Sequence, residues 1–447
     1  MKTYDVVVIG GSAAGIVAAA TVRQTYPDKK VVVIRKESKV LVPCGIPYTV
    51  KTVGDVDKNL IADTAVTGKG ADLIIDEVIE IIPDEKKVLL RSGEEIAYDK
   101  LILATGSKPV FPPIPGRDLD GVFTVPKDYD VVKELKSRIE KAENIVIVGG
   151  GFIGVEFSDE ISALGKKVTI VEMLPHVLGK AFDPEFAEMA EEILKEKGVS
   201  IKTGELVTEI AGEGGKVKEV VLKSGQRIPA DLVILSIGYR PNADLAKKAG
   251  IPVGTFGGII VDNLGKTLVK DIYAVGDCAE NRCSLTPNGL CPMLASVATA
   301  TARRAALNLY NIKALPTAVF GAFGFSTVVG GRTFAAVGLT ETAARELGYD
   351  IIVGKFETLD THPGSVPGSM KQIVKLIALA KTGHIIGAQL TGGKSVGELV
   401  NVLATAVTAG MNASELAFTQ VATHPLLTAA PTVYPITMAA MSILHQM

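Results

Sequence analysis

The sequence predicts an α/β chain made of two dinucleotide-binding βαβ units, one inserted into the other, followed by a C-terminal α+β layer. Three observations carry this. An apolar run, Val6-Val7-Val8-Ile9, leads into Gly10-Gly11-Ser12-Ala13-Ala14-Gly15. The same pattern returns as Ile145-Val146-Ile147-Val148 and Gly149-Gly150-Gly151-Phe152-Ile153-Gly154. From about Val319 the pattern changes to β-type runs interleaved with short helices. Each glycine segment reads as a buried parallel strand, a tight turn and a small-residue helix, the Rossmann-like arrangement that aims backbone N–H groups and a helix N-terminus at a pyrophosphate. Two such turns imply two nucleotide cofactors held together.

Composition bounds the alternatives. A chain of 447 residues has room for two to four domains and a large core. Its net charge of −2 argues against nucleic acid or an anionic membrane as a partner. Lys2 and the apolar residues after it imitate a secretory leader, but Asp5 and the turn at Gly10 fit a strand–turn–helix better. No apolar run is long enough to span a bilayer. The four cysteines lack metal-ligand spacing and fit a reducing compartment, so a cytoplasmic protein without a metal is expected.

The elements follow in order. A helix over 15–25 and a strand over 30–34 complete the first βαβ start. Residues 88–96 read as a hairpin turning at Ser92-Gly93, and the strand from Leu101 ends in the small-residue turn Ala104-Thr105-Gly106. The proline-rich connector 109–115 marks a boundary. A helix over 129–142 precedes the second glycine turn, and strands over 168–172 and 232–237 bracket an amphipathic helix over 184–197. Phe186, Met189, Ile193 and Leu194 share its apolar face. The first unit resumes near Asn242, with a strand ending at Gly276-Asp277 and a helix over 293–309. Strands over 335–339, 351–357, 373–380 and 385–390, with helices over 343–347 and 396–409, form the last layer. The uncharged stretch 428–444 is core or an oligomer interface. The expected units are therefore 1–115 with 242–318, then 116–241, then 319–447.

The second glycine turn has the more regular pattern. Gly149, Gly151 and Gly154 hold the fingerprint positions, and Glu172 ends the next strand, where a carboxylate accepts from an adenosine ribose. Met173 and Leu174 follow with no arginine to hold a 2′-phosphate, which favours NADH over NADPH. In the first turn Ser12 takes the middle glycine position, and Arg35 stands where an acid is expected. Either Glu37 takes the ribose or Arg35 meets a phosphate.

The order of these glycine turns, Ala104-Thr105-Gly106, Gly238-Tyr239-Arg240-Pro241-Asn242 and Val275-Gly276-Asp277 resembles the pyridine nucleotide–disulfide oxidoreductases over the whole chain. The resemblance implies FAD on the first unit, NAD(P)H on the inserted one and a homodimer through the third. It places FAD against Gly10, Ser12, Ala13, Ala14, Gly15, Arg35, Glu37, Ala104, Thr105, Gly106, Gly276 and Asp277, the last on the ribitol. It places NADH against Gly149, Gly151, Phe152, Ile153, Gly154, Glu156, Glu172 and Gly238.

Cys44, in Val42-Pro43-Cys44-Gly45-Ile46-Pro47, sets the branch. The two-cysteine members carry four residues between their cysteines, but here those positions are Lys39 and Thr49. The segment resembles the single-cysteine branch: coenzyme A-disulfide, persulfide or polysulfide reductases and NADH oxidases. The expected reaction is NADH-dependent reduction of a sulfur–sulfur bond through a Cys44 thiolate of depressed pKa; the alternative is reduction of oxygen. Oxygen- and peroxide-reducing members carry a histidine where Ala13 stands, which favours the sulfur reaction. Cys278 and Cys283 also have four residues between them, but they follow Asp277, so this spacing and Cys291 are read as structural. Thr423-His424-Pro425 resembles the family's acid–base motif, although Ala429 replaces its orienting glutamate; Tyr434 is the second candidate. His176, His362, His384 and His445 show no partnered pattern. For coenzyme A phosphates the choice falls on Arg23 and Arg304.

Overall fold

The computed structural model describes residues 2–281, 284–285, 293–315 and 322–447. Cys283, Cys291 and the expected boundary at 318/319 lie outside the described residues. The first unit is a seven-stranded sheet. Lys2–Ile9 lies between Val31–Arg35 and Glu95–Leu103, with Asp72–Ile75 beyond the former and Ile272–Ala274 beside the latter, all parallel. Lys87–Leu90 and Val78–Ile82 extend it antiparallel, which produces the hairpin expected at Ser92-Gly93. All five residues of Val31–Arg35 are buried, because a parallel sheet covered on both faces needs an unbroken apolar strand. Helix Ala13–Thr25 packs on helix Ala295–Leu307 through Ala14, Ala18 and Ala19 against Ala298, Ala302 and Ala305. These side chains are small enough to let the two backbones come close beside the nucleotide turn.

The inserted unit has a five-stranded parallel sheet in the order Val122–Thr124, Leu232–Leu235, Asn144–Val148, Lys167–Val171, Ser200–Lys202. Its chain leaves and re-enters through a two-stranded ribbon, Ser107–Pro109 against Tyr239–Pro241. Hydrogen bonds from Asn242 N to Gly106 O (2.8 Å) and from Thr105 Oγ1 to Asn242 O (2.6 Å) close it. An antiparallel sheet, Val207–Glu213, Lys216–Leu222 and Arg227–Pro229, is an addition that the sequence reading lacks. Its charged outer face hides the apolar alternation.

The C-terminal layer is a five-stranded antiparallel sheet, ordered Gly324–Val329, Arg332–Gly338, Ile385–Gly392, Lys371–Leu379, Ile351–Leu359. Helix Pro435–Leu444 buries Ile436, Ala439, Ala440 and Ile443 in its core, which resolves that half of the uncharged stretch as core. Leu426 and Leu427 just before it are exposed.

One apolar cluster ties the three parts together. It joins Leu41, Ile46 and Val50 of the Cys44 segment, Phe157, Ile161 and Phe186 of the inserted unit, and Val329, Phe334 and Ile373 of the C-terminal sheet. Phe152 and Phe325 meet edge-on at 5.1 Å within it. The core therefore sits directly behind Cys44.

Candidate active site

Both glycine turns have the geometry that a dinucleotide needs. Gly10 and Gly149 hold φ of 115° and 105°, which only glycine adopts without strain. A Cβ on Gly10 would strike the Ala104 carbonyl, and one on Gly154 the Gly149 carbonyl. These glycines are demanded by close backbone approach. Gly151 differs: a Cβ there meets open space, so its backbone faces the room a pyrophosphate would take, at the N-terminus of helix Phe152–Ser162. Phe152 and Ile153 open that helix, as Ser12, Ala13 and Ala14 flank the start of Ala13–Thr25. Glu172 is buried at its strand end, accepting from Gly150 N (2.6 Å) and Leu174 N (2.8 Å). Those two donors lock the carboxylate and leave it spare acceptor capacity for ribose hydroxyls.

Arg35 has protein partners that the sequence did not show. Its buried side chain donates to Glu37 O (2.9 Å), Ser38 O (3.3 Å) and the Asp63 carboxylate (2.5 Å), and packs under Gly11. It holds the bend that carries the chain from the first sheet toward Cys44. Glu37 is half-buried at that bend.

Cys44 stands in the first of two consecutive 3₁₀ turns, Pro43–Gly45 and Pro47–Thr49. Proline at the first position of each costs no hydrogen bond, because that N–H has no partner within the turn. Cys44 is exposed, while Ile46, Pro47, Thr49 and Val50 are buried and anchor the loop. Asn59 clamps it through Val42, with Asn59 Nδ2 donating to Val42 O (3.0 Å). From the inserted unit, Glu160 accepts from Lys51 N (3.0 Å), Thr52 N (2.7 Å) and Thr52 Oγ1 (2.5 Å). One turn earlier on the same helix, Glu156 accepts from Thr327 Oγ1 (2.7 Å) of the C-terminal sheet and from the Tyr48 phenol. Helix Phe152–Ser162 thus runs from the glycine turn to the back of the Cys44 loop.

The thiol departs from expectation. A depressed Cys44 pKa is expected from the sequence, but the structure raises it: surrounding protein contributes most, then the Glu156 carboxylate, opposed by Lys127. Lys127 is itself bonded to Asp277 (2.8 Å) and Ser107 (2.9 Å), so its charge is largely neutralised. Asp277 lies beside Gly276, whose N–H donates to Thr301 Oγ1 (3.1 Å). It also accepts from Ser107 Oγ (2.8 Å). Burial pushes Glu156 up to about 7, with its two hydroxyl partners opposing and Glu160 adding.

Other expected residues scatter. Arg23 lines a cavity with Lys2, Tyr4 and Lys30, at the opposite end of strand Lys2–Ile9 from Gly10, and donates to the Pro27 and Lys29 carbonyls. Arg304 is held in helix Ala295–Leu307, where burial lowers its pKa and Asp262 opposes. Among the described residues, neither has a hydrogen bond to the Cys44 loop. His424 is exposed, and its Nδ1 accepts from Leu426 N (3.3 Å), so a backbone N–H orients the ring that Ala429 cannot. Tyr434 caps helix Pro435–Leu444, half-buried. His176 does have a partner, Glu191 at 3.3 Å, as does His362 in the Thr428 carbonyl at 2.9 Å. Gly238 accepts from Val110 N (2.9 Å) beside the ribbon. Sequence reading missed Tyr48, Lys127, Glu160 and Thr327. Only Glu160 carried a signal, its spacing of four from Glu156 on one helix face.

Comparison with known proteins agrees with this geometry. Residues 4–302 match the pyridine nucleotide-disulphide oxidoreductase family, and residues 325–433 its dimerisation domain. A Pyrococcus horikoshii NAD(P)H coenzyme A polysulfide/persulfide reductase is 34% identical over 429 residues, 94% of each chain. A Methanocaldococcus jannaschii NADH oxidase is 32% identical over 422 residues, 92% of each chain. Among solved structures, an NAD-dependent persulfide reductase from A. fulgidus superposes with a TM-score of 0.91 at 31% identity, covering 99% of this chain and 83% of that one. A water-forming NADH oxidase from Lactobacillus brevis gives 0.89 at 25% identity, covering 100% and 99%. The family binds FAD and NAD(P)H, and the two glycine cradles fit two such dinucleotides. The chain belongs to the pyridine nucleotide-disulphide oxidoreductase family and is a flavin-dependent NAD(P)H oxidoreductase.

Proposed function

We propose that this protein uses NADH to reduce a sulfur–sulfur bond, in coenzyme A disulfide, coenzyme A persulfide or polysulfide, through Cys44 acting alone. The observation that carries this is an exposed free thiol on an anchored loop with no cysteine at the flanking positions, while Cys278, the other free thiol among the described residues, is buried. Ala13 in place of a histidine supports sulfur over oxygen as acceptor.

Bound FAD supplies an acceptor for the nicotinamide hydride and a two-electron donor to a sulfur–sulfur bond. Gly149, Gly151, Phe152, Ile153, Gly154 and Gly238 would hold the NADH backbone, with Glu172 on its ribose. Gly10, Ser12, Ala13, Ala14, Gly15, Ala104, Thr105 and Gly106 would hold FAD, with Gly276 and Asp277 on the ribitol. Lys127 and Ser107 orient Asp277. The Cys44 sulfur would attack one sulfur of the substrate, breaking its sulfur–sulfur bond, releasing the other sulfur as a thiolate and leaving Cys44 in a mixed disulfide or persulfide. His424 or Tyr434, from a partner copy in a homodimer, would protonate a leaving thiolate. Cys44 and Cys278, the free thiols among the described residues, support a cytoplasmic setting.

Purified holoenzyme carrying Cys44→Ser should lose NADH-dependent reduction of coenzyme A disulfide and polysulfide while keeping its flavin. Full activity in that variant refutes the mechanism. The similarity to NADH oxidases favours oxygen as a second acceptor. Anaerobic rates on sulfur substrates that fall below the aerobic rate without them would make oxygen the principal one.

A further inference from the structure

His424 lies on a stretch that burial does not hold in place. His424, Pro425, Leu426 and Leu427 are all exposed, and Ala429, buried just after them, has no polar side chain to offer. The stretch is shaped from within. Leu427 N and Thr428 N both donate to His424 O (3.0 Å each), and His424 N donates to Thr428 Oγ1 (3.0 Å). That turn leaves the Pro425 and Thr428 carbonyls without a partner inside it. One residue takes both: His362 donates its backbone N–H to Pro425 O (3.0 Å), and its ring Nδ1 lies 2.9 Å from Thr428 O. A carbonyl only accepts, so His362 Nδ1 carries the hydrogen. Among the described residues, no other group from outside 423–429 hydrogen-bonds that segment.

His362 is itself held. It stands in the loop between strands Ile351–Leu359 and Lys371–Leu379. Asp360 closes that loop, donating its N–H to Met370 O (3.0 Å) and accepting from Met370 N on its carboxylate (2.8 Å). The same carboxylate lies against Gly393, where a Cβ would meet it at 2.3 Å. The His424 turn is therefore tied to a fixed point at the end of the C-terminal sheet. Within the turn, Leu426 N donates to His424 Nδ1 (3.3 Å), so the neutral ring carries its hydrogen on Nε2.

We propose that His362 is the positioning residue for His424: it clamps the two outward carbonyls of the turn, which keeps Leu426 N on His424 Nδ1 and leaves Nε2–H as the donor that His424 presents to a departing thiolate. This rests on the reading of His424 as the group that meets the leaving sulfur, and it adds the residue that aims it. Without the ring of His362, Thr428 O loses its donor and the exposed turn keeps a single outside bond, to Pro425 O. The turn then opens more often, and each opening frees His424 Nδ1 from the N–H that selects its tautomer.

Nitrogen NMR of holoenzyme carrying isotope-labelled histidine tests this, in alkaline buffer where imidazole is neutral. A ring nitrogen that bears hydrogen resonates apart from one that does not, and His424→Phe assigns the signals. Wild type should show His424 as one tautomer, with hydrogen on Nε2. His362→Leu should give a mixture of both tautomers, and the Leu427 and Thr428 amides should exchange roughly fivefold faster, as the loss of one neutral hydrogen bond implies. His362→Asn should restore the single tautomer, because its side-chain amide can donate from the place of Nδ1. A folded His362→Leu with the wild-type spectrum and exchange, or an asparagine variant that fails like leucine, refutes the clamp. If His362→Leu does not fold, wild-type exchange decides. Leu427 and Thr428 should then exchange at least about tenfold slower than Val421 and Ala422, whose N–H groups bond to no described residue, and equal rates refute the clamp. Reduction of coenzyme A disulfide by Cys44→Ser and by His424→Phe is scored separately. Full activity there overturns the sulfur-reductase reading or the part of His424 in it, whereas the spectrum judges the clamp alone.

Discussion

Replacing Lys375 by methionine tests how the inserted unit is locked to the C-terminal sheet. Lys375 is 3% exposed on strand Lys371–Leu379 and meets three carboxylates: Glu341 at 2.8 Å, Asp183 at 2.9 Å and Glu185 at 3.2 Å. Asp183, equally buried, precedes helix Pro184–Glu196 of the inserted unit. It also accepts from Thr342 Oγ1 (2.7 Å), Thr342 N (3.0 Å), Glu341 N (3.1 Å) and Gln389 Nε2. Burial alone would raise the Asp183 pKa, but the Thr342 N–H and Lys375 outweigh it and hold the group below the usual carboxylate range. Removing one partner of a buried ion pair costs about 3–5 kcal/mol. Four remaining donors keep Asp183 solvated, so the loss should lie near the lower end, about 3 kcal/mol. Asp183 is stabilising above its unfolded pKa, and that contribution fades as pH falls through its lower folded value. The variant's deficit should therefore be complete at pH 7 and shrink below about pH 4. The assay is urea unfolding of the holoenzyme at pH 7 for Lys375→Met, Asp183→Asn and the double variant. A coupling energy of about 2 kcal/mol is expected. Single-variant losses below about 0.5 kcal/mol, or strict additivity, would refute the lock.

Three further outcomes follow from the site. Gly154→Ala drives a Cβ into the Gly149 carbonyl, so NADH affinity in equilibrium titration should fall more than about tenfold while flavin content is kept. Glu160→Gln removes the anion that accepts from Lys51, Thr52 and the Thr52 hydroxyl; at about 1.5–3 kcal/mol for such charged bonds, hydrogen exchange at Lys51 and Thr52 should speed by tenfold or more. Burial holds the folded Glu156 pKa near 7, above its unfolded value of 4.5. Its ionisation therefore costs stability progressively across that pH window. Glu156→Gln should match wild type below pH 4.5 and exceed it by about 1–3 kcal/mol above pH 7 in denaturant titrations at each pH.

Much of this was legible in the residues. Gly10, Gly15, Gly149 and Gly154 announce their turns because a side chain at any of them would collide with backbone, a constraint local enough to leave a pattern. Glu172 is readable for the same reason, since it must stand where its strand ends. The helix over 184–197 showed its apolar face, and Phe186 and Leu194 are buried on it. Arg35 was not legible: its guanidinium takes Asp63, whose nearness depends on how the loop returns. The extra sheet over 207–229 escaped because one of its faces is charged.

Sequence alone determined the two nucleotide turns, their order along the chain and the isolation of Cys44 from any resolving cysteine. Those are properties of neighbours within one βαβ unit or one loop. The tertiary structure decided the electrostatics around that thiol. Glu156, Thr327, Tyr48 and Lys127 come from four separate segments, and their effects on one another arise only when the inserted unit and the C-terminal sheet close over the Cys44 loop. Charge acts through distance in space, and no spacing along the chain records it.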